Sequence, residues 1–573
     1  MATEDARRLA DSVTAGRMSR QEFITRALAL GMSVSGITAV LAAASPSAGA
    51  QTSGSYSVLV SSSPDRSNPS PLDGKTVSGK IYVFLSPTSG VYRVRFYLDD
   101  PDLSGSPRKI EGRAPYDFAG DAEGMANPFD TVAVSNGSHT ITAAVELTGG
   151  GTDVVHAIFT VSNGSGTPGT PDQVHLAWVG DPSTTLTVVW HTSNTATPSV
   201  VQYRAAGSVI WLEATGAERA SGTSGKLHQV NLSGLRPSTA YEYRVRGDGG
   251  IWSEVYSART APPLGPADFD VIYFADTGLV GREDGLATGT QQVVDEIAAM
   301  NPLLVLPGGD YAYFNTDKRY GTHEKTIDAW FNQVQPIASR SPLLPTYGNH
   351  EVGLDESYQP WANRFPTPNG WNGRRAYSFD VGDVHFISVF AVTNKNALGD
   401  SQVTWLKKDI AAAKAGGRRW IIPYMHVSAF ADGTNHPSNL NLRAQLGPIF
   451  ESNGIKLVLS SHDQAYERTY PLKNIGTTNT PTSTSKSCYV MADGVTWAKV
   501  SPGGKLSNIS KGFSPFGTNP PPTWTAFRNN TRHVFSRLSV RASGSIQLDT
   551  YGVKGDGTTP VILDTFRYTT GGC

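Results

Sequence analysis

The sequence predicts a multidomain protein in which two all-β sandwiches precede an α/β layered domain. A chain of 573 residues is too long for one hydrophobic core, and its 59 glycines and 36 prolines supply many turns. Before about residue 262, short stretches of alternating apolar and polar residues predict antiparallel strands. After it, strand-like and helical patterns alternate, and this alternation is typical of a layered α/β sheet.

Residues 1–50 are predicted to be an export signal peptide. Basic residues precede an apolar stretch at 27–44, which is followed by the small-residue cleavage site Ala48-Gly49-Ala50. The apolar stretch is long enough to act as an uncleaved anchor, but the cleavage site favours a secreted or cell-surface protein with no membrane span in its mature form. The export route stays open between general secretion and the twin-arginine route, because Gln21 stands where a twin-arginine signal has its second arginine.

Residues 51–165 are predicted to form the first β-sandwich. Its strand-like stretches include GKIYVFL, YRVRFYLDD and HTITAAVEL, which are separated by glycine, proline, asparagine and serine. The segment resembles bacterial immunoglobulin-like modules. It holds no catalytic cluster, so His139 and His156 are interpreted as strand or turn residues. Its expected role is that of a spacer or of a contact with a cell surface or polysaccharide.

A Gly/Thr/Pro linker at 166–172 leads into the second predicted sandwich, at 173–262. Its strand-like stretches include LTVVWHT, VVQYRA and LRPSTAYEYRV, and they resemble a fibronectin type III sandwich. No residue of this segment stands out as a metal ligand.

Residues 263–573 are predicted to form the α/β domain. A helix is expected at 290–300, where the apolar residues share one face, and another at 400–417, which starts with a cap-like Asp or Ser. A β-hairpin is expected to close the domain at 532–553.

Five apolar strands of this domain end in residues that bind metals. They read VIYFAD, LVLPGGDYAY, LPTYGNH, WIIPYMH and KLVLSSHDQ, and they carry Asp276, Asp310, Asn349, His426 and His462. Buried strands that stop at such residues are typical of a sheet whose carboxyl ends carry a site. Asp, Asn and His offer oxygen and nitrogen donors to hard or borderline metals, and no thiolate is involved. The pattern predicts a metal-dependent hydrolase.

The order of these motifs resembles that of the purple acid phosphatases, within the metallophosphoesterase or calcineurin-like phosphoesterase superfamily. The resemblance rests on Asp276, GDxxY at 309–313, GNH at 348–350, His426, and a His-x-ligand pair followed by AYER at 465–468. It spans most of the chain after about residue 172. The second predicted sandwich is similar to the module that precedes the catalytic domain in plant-type members.

The resemblance implies a binuclear centre in which Asp310 bridges two metal ions. The first ion would be held by Asp276, Asp310, Tyr313 and Gln464, and the second by Asp310, Asn349, His426 and His462. In the family the first ion is ferric iron, and the second is zinc, manganese or iron. Tyr311 lies in the same stretch as Tyr313, but the D-x-x-Y spacing favours Tyr313.

The implied reaction is hydrolysis of a phosphomonoester by attack of a metal-bound hydroxide. Two metal ions can hold a phosphoryl group, activate water and neutralise the charge that develops in an in-line displacement. His350 matches the family's outer-sphere histidine, which binds phosphate and helps to protonate the leaving group. His436 lies where the family often places a further substrate histidine. The expected substrate is a small phosphorylated molecule.

One position departs from the family pattern. The family has His-x-His before AYER, whereas this chain has His462-Asp463-Gln464. A glutamine carbonyl oxygen can bind a metal, but it is neutral and a weaker donor than imidazole, so the identity or occupancy of the first metal stays open. Asp463 is expected to point away from the side that residues 462 and 464 share.

Composition narrows the function further. With 48 basic and 49 acidic residues, no strong field attracts nucleic acid or anionic membranes. The only two cysteines, Cys488 and Cys573, are interpreted as a disulfide rather than as nucleophiles.

Besides a secreted acid phosphatase-like hydrolase, two alternatives stay open. One is a phosphodiesterase or nucleotide pyrophosphatase with the same centre, and the other is a non-catalytic surface-binding protein whose site is degenerate at Gln464.

Overall fold

The computed structural model describes residues 56–573 except 123, 132–133, 135–136, 162–168, 194–196, 283, 353–357 and 394–395. The predicted signal peptide at 1–50 lies outside the described residues. Contacts divide the chain into two compact units. The first holds the described residues up to 75, with 81–128 and 138–159, and the second holds 76–80, 129–137 and 160–573. Across the described residues, no helix combines the length and the apolar character that crossing a membrane requires.

The N-terminal region is built from short strands. In chain order they are β1 (Ser57–Ser61), β2 (Ser70–Pro71), β3 (Thr76–Val77), β4 (Lys80–Ser86), β5 (Val91–Leu98), β6 (Lys109–Glu111), β7 (Asp121–Ala122), β8 (Met125–Ala126), β9 (Phe129–Asp130), β10 (Gly137–Leu147) and β11 (Thr152–Val161). In the first unit β1 pairs antiparallel with β2 and β4, while β5 pairs antiparallel with β6 and β10. Phe96 and Phe118 meet edge to face in its core, with ring centroids 5.8 Å apart. His139 and His156 lie in β10 and β11, as expected for strand residues.

The next segment is a pair of four-stranded antiparallel sheets. Its strands are β12 (Asp172–Ala177), β13 (Leu186–Thr192), β14 (Val200–Ala205), β15 (Leu212–Thr215), β16 (Ala217–Ala220), β17 (Lys226–Leu232), β18 (Ala240–Val245) and β19 (Tyr256–Arg259). One sheet has the order β12-β13-β17-β16 and the other β15-β14-β18-β19. Trp190 is fully buried between them, and its indole N–H donates to the carbonyl oxygen of Arg246 at 2.9 Å. We call this segment the second sandwich.

The remaining chain forms the catalytic domain, with six helices and sixteen strands in the described residues. The helices are α1 (Thr290–Met300), α2 (His323–Ala338), α3 (Asn349–Val352), α4 (Gln359–Ala362), α5 (Asp400–Ala415) and α6 (Leu440–Ser452). The strands are β20 (Phe269–Phe274), β21 (Leu304–Pro307), β22 (Gly370–Trp371), β23 (Ala376–Val381), β24 (Val384–Ser388), β25 (Trp420–Tyr424), β26 (Leu457–Ser460), β27 (Tyr466–Thr469), β28 (Leu472–Lys473), β29 (Thr480–Pro481), β30 (Cys488–Val490), β31 (Thr496–Lys499), β32 (Thr525–Asn529), β33 (His533–Arg541), β34 (Ser545–Val553) and β35 (Val561–Thr569).

Fourteen of these strands form two facing sheets between helical layers, and β28 and β29 pair separately. The six-stranded sheet has the order β21-β20-β33-β34-β35-β30, and the eight-stranded sheet has the order β22-β23-β24-β25-β26-β31-β27-β32. Residues of both sheets, such as Val271 and Ile422, share one buried core, which also includes Trp190 of the second sandwich. Helices α1 and α2 cover the outer face of the first sheet, and α5 and α6 cover that of the second. Strands β21 and β25 are buried at every residue, so their sequences read as continuous apolar runs.

The second sandwich packs directly on the catalytic domain. The backbone N–H of Val174 donates to the side chain of Gln335 at 2.8 Å, and the hydroxyl of Tyr243 donates to the carbonyl oxygen of Ser339 at 2.6 Å. The backbone N–H of Leu343 donates to the carbonyl oxygen of Leu176 at 2.8 Å. The two segments therefore share hydrogen bonds as well as a core.

The local elements predicted from the sequence are present. Helix α1 and the hairpin β33–β34 have the expected bounds within a residue. Helix α5 also forms, but the residue that precedes it is Gly399, whose backbone conformation is extended and which has no side chain to cap the helix. The prediction of a cap-like Asp or Ser was wrong, because Asp400 already lies in the first turn. Cys488 and Cys573 form the predicted disulfide.

Candidate metal centre

The predicted ligands follow the carboxyl ends of four parallel-paired strands. Asp276 comes two residues after β20 and Asp310 three residues after β21, and β20 and β21 pair in parallel. His426 and His462 each come two residues after β25 and β26, which also pair in parallel. Because parallel strands end at the same edge, both sheets present their ligands on one side of the domain.

Four of the predicted ligand residues have a left-handed backbone. The φ angles are 54° at Asp276 and Asp310, 55° at Tyr313 and 82° at His462. This region is unfavourable for residues with a β-carbon, and it costs on the order of 1–3 kcal/mol per residue. Strain of this kind is concentrated at functional sites, where the surrounding structure enforces it.

Asp310, His426 and His462 form the buried centre of the site, with ligand atoms within 4.8 Å of one another. The Nε2 atom of His426 lies 3.1 Å from Oδ2 of Asp310, 3.2 Å from Oδ1 of Asn349 and 3.0 Å from Nδ1 of His462. Its Nδ1 atom lies 2.9 Å from the carbonyl oxygen of Gly308, to which it donates. A neutral His426 would therefore turn its Nε2 lone pair toward two acceptor oxygens, Oδ2 of Asp310 and Oδ1 of Asn349.

A cation or a proton between these atoms would stabilise that arrangement. Burial opposes the charged imidazole, but Asp310 and Asp276 raise the pKa of His426 to about 9. Burial raises the pKa of Asp276 to about 6, and the negative charge of Asp310 acts in the same direction. Nitrogen and oxygen donors that converge in this way fit a divalent or trivalent metal ion, which would take the place of the proton.

Asp276 and Tyr313 form the neighbouring part of the site. The hydroxyl of Tyr313 donates to Oδ1 of Asp276 at 2.9 Å, while Ser501 Oγ and the backbone N–H of His462 donate to Oδ2 at 2.8 and 3.1 Å. Tyr311, in contrast, packs against Trp330 in the core. The structure therefore turns Tyr313 rather than Tyr311 toward the acidic ligands.

Gln464 is buried beside His462 and keeps a free acceptor. Its amide nitrogen donates to the carbonyl oxygen of His462 at 3.1 Å. Across the described residues, the Oε1 atom of Gln464 and the Nε2 atom of His462 are buried without a hydrogen-bond partner. Unpaired buried polar atoms are costly, so two of them next to a ligand cluster are consistent with an ion or solvent as the missing partner.

Asp463 is held away from this cluster. Its Oδ2 atom lies 2.5 Å from Nζ of Lys499, and its Oδ1 atom accepts from the backbone N–H of His436 at 3.0 Å. The same lysine lies 2.9 Å from Glu467, whose carboxylate accepts from the backbone N–H of Asp432. Lys499 and its two carboxylates thus anchor the loop at 432–436. The Glu of the AYER stretch has a structural role here.

The two predicted substrate histidines lie at the rim of the cluster. The Nε2 atom of His350 is 3.9 Å from Oδ2 of Asp310, and its ring centroid is 4.3 Å from that of Tyr313. The ring of His436 stacks on that of His462 with centroids 4.1 Å apart. Both imidazoles are partly exposed, and burial lowers the pKa of each. All nine predicted site residues therefore lie within one connected group of contacts.

Sequence reasoning missed three residues of this region. The carboxylate of Glu351 accepts backbone N–H groups from Asp310, Tyr311 and Gly348 at 2.7–2.9 Å, which fixes the two turns that carry Asp310 and Asn349. Its position directly after GNH was the available signal. Ser501, which donates to Asp276, and Lys505, whose Nζ atom lies 4.3 Å from the centroid of the Tyr313 ring, come from the loop after β31. Nothing local in the sequence links them to the site.

Comparison with known proteins agrees with this geometry. The family model described as Purple acid Phosphatase, N-terminal domain, matches residues 171–260, and the one described as Calcineurin-like phosphoesterase matches residues 269–466. Purple acid phosphatase 18 of Arabidopsis thaliana is 27% identical over 370 residues, which cover 62% of this chain and 76% of that protein. The chain is a purple acid phosphatase-like metallophosphoesterase.

Two other relatives align over less of their length. Purple acid phosphatase 23 of Arabidopsis thaliana is 29% identical over 273 residues, which cover 43% of this chain and 58% of that protein. An uncharacterized protein of Mycobacterium tuberculosis is 28% identical over 346 residues, which cover 54% of this chain and 64% of that protein.

Among solved structures, purple acid phosphatase PPD1 from yellow lupin (Lupinus luteus) seeds shares the fold, with a TM-score of 0.66 and 17% identity over 90% of this chain and 96% of that chain. The purple acid phosphatase family uses a binuclear metal centre and acts on phosphorylated substrates. In this member Asp310, His426 and His462 are a candidate metal-binding group.

Proposed function

We propose that this protein is a secreted phosphatase that hydrolyses phosphomonoesters at a binuclear metal centre. The observation that supports it most is the convergence of a carboxylate oxygen, an amide oxygen and a second imidazole nitrogen on Nε2 of His426, an arrangement that a metal ion would stabilise. When bound, two metal ions would activate water and neutralise charge on the phosphoryl group. An acid phosphatase-like activity follows from this chemistry.

The residues of the chain take two kinds of role in the proposal. Asp276, Asp310, Tyr313 and Gln464 would hold a first metal, and Asp310, Asn349, His426 and His462 a second. His350 and His436 would face the substrate. Both are partly exposed beside the cluster, where an imidazole can donate a hydrogen bond to a phosphoryl oxygen or a proton to the leaving group.

The identity of the metals follows from the donors. Tyr313, as a phenolate next to Asp276 and Asp310, would suit ferric iron in the first position, with zinc, manganese or iron in the second. Gln464 supplies a neutral oxygen where an imidazole would bind more strongly. We therefore expect the first metal position to accept a divalent ion or to be only partly occupied.

We also propose a role for the segments before the catalytic domain. Residues 1–50 would direct export and be removed, which gives a secreted or cell-surface protein. An immunoglobulin-like module at 51–165 would act as a spacer or as a contact with a cell surface or polysaccharide. A linker at 166–172 and a fibronectin type III-like module at 173–262 would precede the catalytic domain at 263–573. The two-sheet arrangement of β12–β19 supports the assignment of the last module.

The test combines metal content and turnover. The purified protein is loaded with iron, zinc or manganese, and bound metal per chain is measured by elemental analysis beside hydrolysis of 4-nitrophenyl phosphate. Asp310→Ala should abolish both, because the proposed bridging carboxylate is lost. Asp400→Ala, which removes an exposed carboxylate on α5, is the matched control.

Four outcomes separate the proposals. Two bound ions with turnover of the monoester support a phosphatase, whereas preferred turnover of bis(4-nitrophenyl) phosphate or of a nucleotide pyrophosphate would replace it with the diesterase alternative. Full activity in Asp310→Ala would refute the metal centre. Absence of both metal and turnover in the unsubstituted protein would favour the non-catalytic alternative.

A further inference from the structure

We propose that a cleft between the second sandwich and the catalytic domain binds an organic oxyanion, namely a ring-bearing molecule with a phosphate, sulfate or carboxylate group. The cleft has a volume of about 370 Å³. Arg219 and Gln229 of the second sandwich form one wall, and Gln359, Phe365 and Arg374 of the catalytic domain form the other. None of the predicted metal ligands lines it, so the site is separate from the proposed catalytic centre.

The cleft concentrates positive charge. Within the described ranges its lining contains two arginines and no Asp or Glu. Arg219 donates to the carbonyl oxygen of Asn363 at 2.8 Å and to the side chain of Gln229 at 3.0 Å, and Arg374 donates to the side chain of Asn369 at 3.3 Å. All of these acceptors are neutral. Within the described part of the chain, neither arginine forms an ion pair.

A third arginine, Arg364, lies behind the wall but has its own counter-charge. It is almost fully buried and pairs with the carboxylate of Asp328. Burial lowers the pKa of Arg219 to about 10, and the charges of Arg364 and Arg374 act in the same direction. The like charges of Arg219 and Arg374 at a partly buried surface are unfavourable, and an oxyanion bound between these two arginines would remove that cost. Guanidinium groups are suited to this because they match oxyanions in a bidentate geometry.

The backbone at Arg374 has an unfavourable left-handed conformation. Asn372, Gly373 and Arg374 have φ angles of 47°, 65° and 81°, so three consecutive residues of the β22–β23 turn are left-handed. Asparagine and glycine adopt this conformation readily, but a long side chain does so at a cost. Retaining an arginine there is expected where its side chain has a function.

The other walls indicate the kind of molecule that carries the anion. Tyr358 and Phe365 supply aromatic surface, and Arg375 stacks over the ring of Tyr358 at 4.9 Å. Gln229 and Gln359 supply amide hydrogen bonds. A cavity of about 370 Å³ exceeds the volume of a bare inorganic anion and falls in the range of small-molecule sites. An anionic group on a planar ring matches these walls best.

The test measures binding of three aromatic oxyanions that contain no ester bond. Phenylphosphonate, benzenesulfonate and benzoate are titrated into the full protein by calorimetry, with uncharged benzamide as the reference. We expect saturable binding of at least one oxyanion and none of benzamide. Arg219→Gln and Arg374→Gln should each weaken it about tenfold to a hundredfold, because each removes a charged hydrogen-bond donor.

Two controls make the result decisive. Arg244→Gln removes an arginine of the same sandwich that lies outside the cleft, and it should leave binding unchanged. Asp310→Ala should also leave it unchanged. If Arg219→Gln lowers the thermal unfolding temperature, the test rests on Arg374→Gln. Arg374 is exposed, so replacing it should not disturb the fold. The proposal fails if no oxyanion binds, if both cleft variants bind as tightly as the unsubstituted protein, or if binding disappears only in Asp310→Ala.

Discussion

Replacing Lys499 by methionine should destabilise the catalytic domain strongly and in a pH-dependent way. Lys499 is almost fully buried and lies 2.5 Å from Asp463 and 2.9 Å from Glu467, which are also buried. Removing one partner of a buried ion pair costs about 3–5 kcal/mol, because it leaves an uncompensated charge. Here two carboxylates lose their only cation among the described residues, so we expect a value at the upper end of that range near neutral pH.

The sign of the pH dependence follows from Glu467. Burial raises the pKa of Glu467 and Lys499 opposes that rise, so without Lys499 the pKa of Glu467 in the folded variant should lie further above its unfolded value of about 4. An acid whose pKa is raised by folding destabilises the folded state at high pH. This penalty disappears as the pH falls toward the pKa that the acid has in the unfolded chain. The loss of unfolding free energy should therefore be large near pH 7.5 and much smaller near pH 5.

Urea unfolding of the two proteins at both pH values measures this difference. Lys456→Met is the matched control, because Lys456 is also buried but donates to the neutral carbonyl oxygen of Asp493. It should cost about 0.5–1.5 kcal/mol at either pH. The reasoning is refuted if Lys499→Met costs no more than the control, or if its cost does not change between the two pH values.

Two further predictions concern the metal site and a separate ion cluster. Gln464→His should increase bound metal per chain and turnover if the neutral oxygen weakens the first metal position; unchanged values in elemental analysis and kinetics would mean that Gln464 already binds the metal or has no role. Burial opposes protonation of His385, but Asp380 and Asp409 raise its pKa to about 9. The stabilisation from this charged histidine is complete below its unfolded pKa of about 6.5 and is lost as the pH rises through about 9, up to roughly 3 kcal/mol. His385→Gln should be less stable than the unsubstituted protein at pH 6 and should approach it at pH 10, which urea unfolding can test.

Elements with a local pattern were predictable from the sequence. Helix α1 was identified by its apolar periodicity, and the hairpin β33–β34 by its two strand-like stretches around a short turn. The pairing of strands was not predictable, because β20 pairs with β33 from the far end of the chain. Such pairing depends on long-range packing that leaves no local pattern, so the division of the strands into two facing sheets could not be read from the sequence.

The same limit applies to the candidate site. Asp276, Asp310, His426 and His462 could be found because each directly follows an apolar strand. Ser501 could not, because its contact with Asp276 depends on where the loop after β31 passes. A serine in a loop is common and has no distinguishing neighbours. The contacts around the ligands could therefore be identified only from the structure.

The left-handed ligand residues explain why these supporting contacts are needed. Asp310 and Tyr313 would relax to ordinary backbone conformations unless other interactions held them. Glu351 provides one such interaction, because its buried carboxylate accepts the backbone N–H groups of Asp310 and Tyr311 at 2.7 and 2.8 Å. Charge-assisted hydrogen bonds of this kind contribute about 1.5–3 kcal/mol each, which is comparable to the strain at one ligand. The buried carboxylate thus offsets the conformational cost of presenting Asp310 in the proposed bridging position.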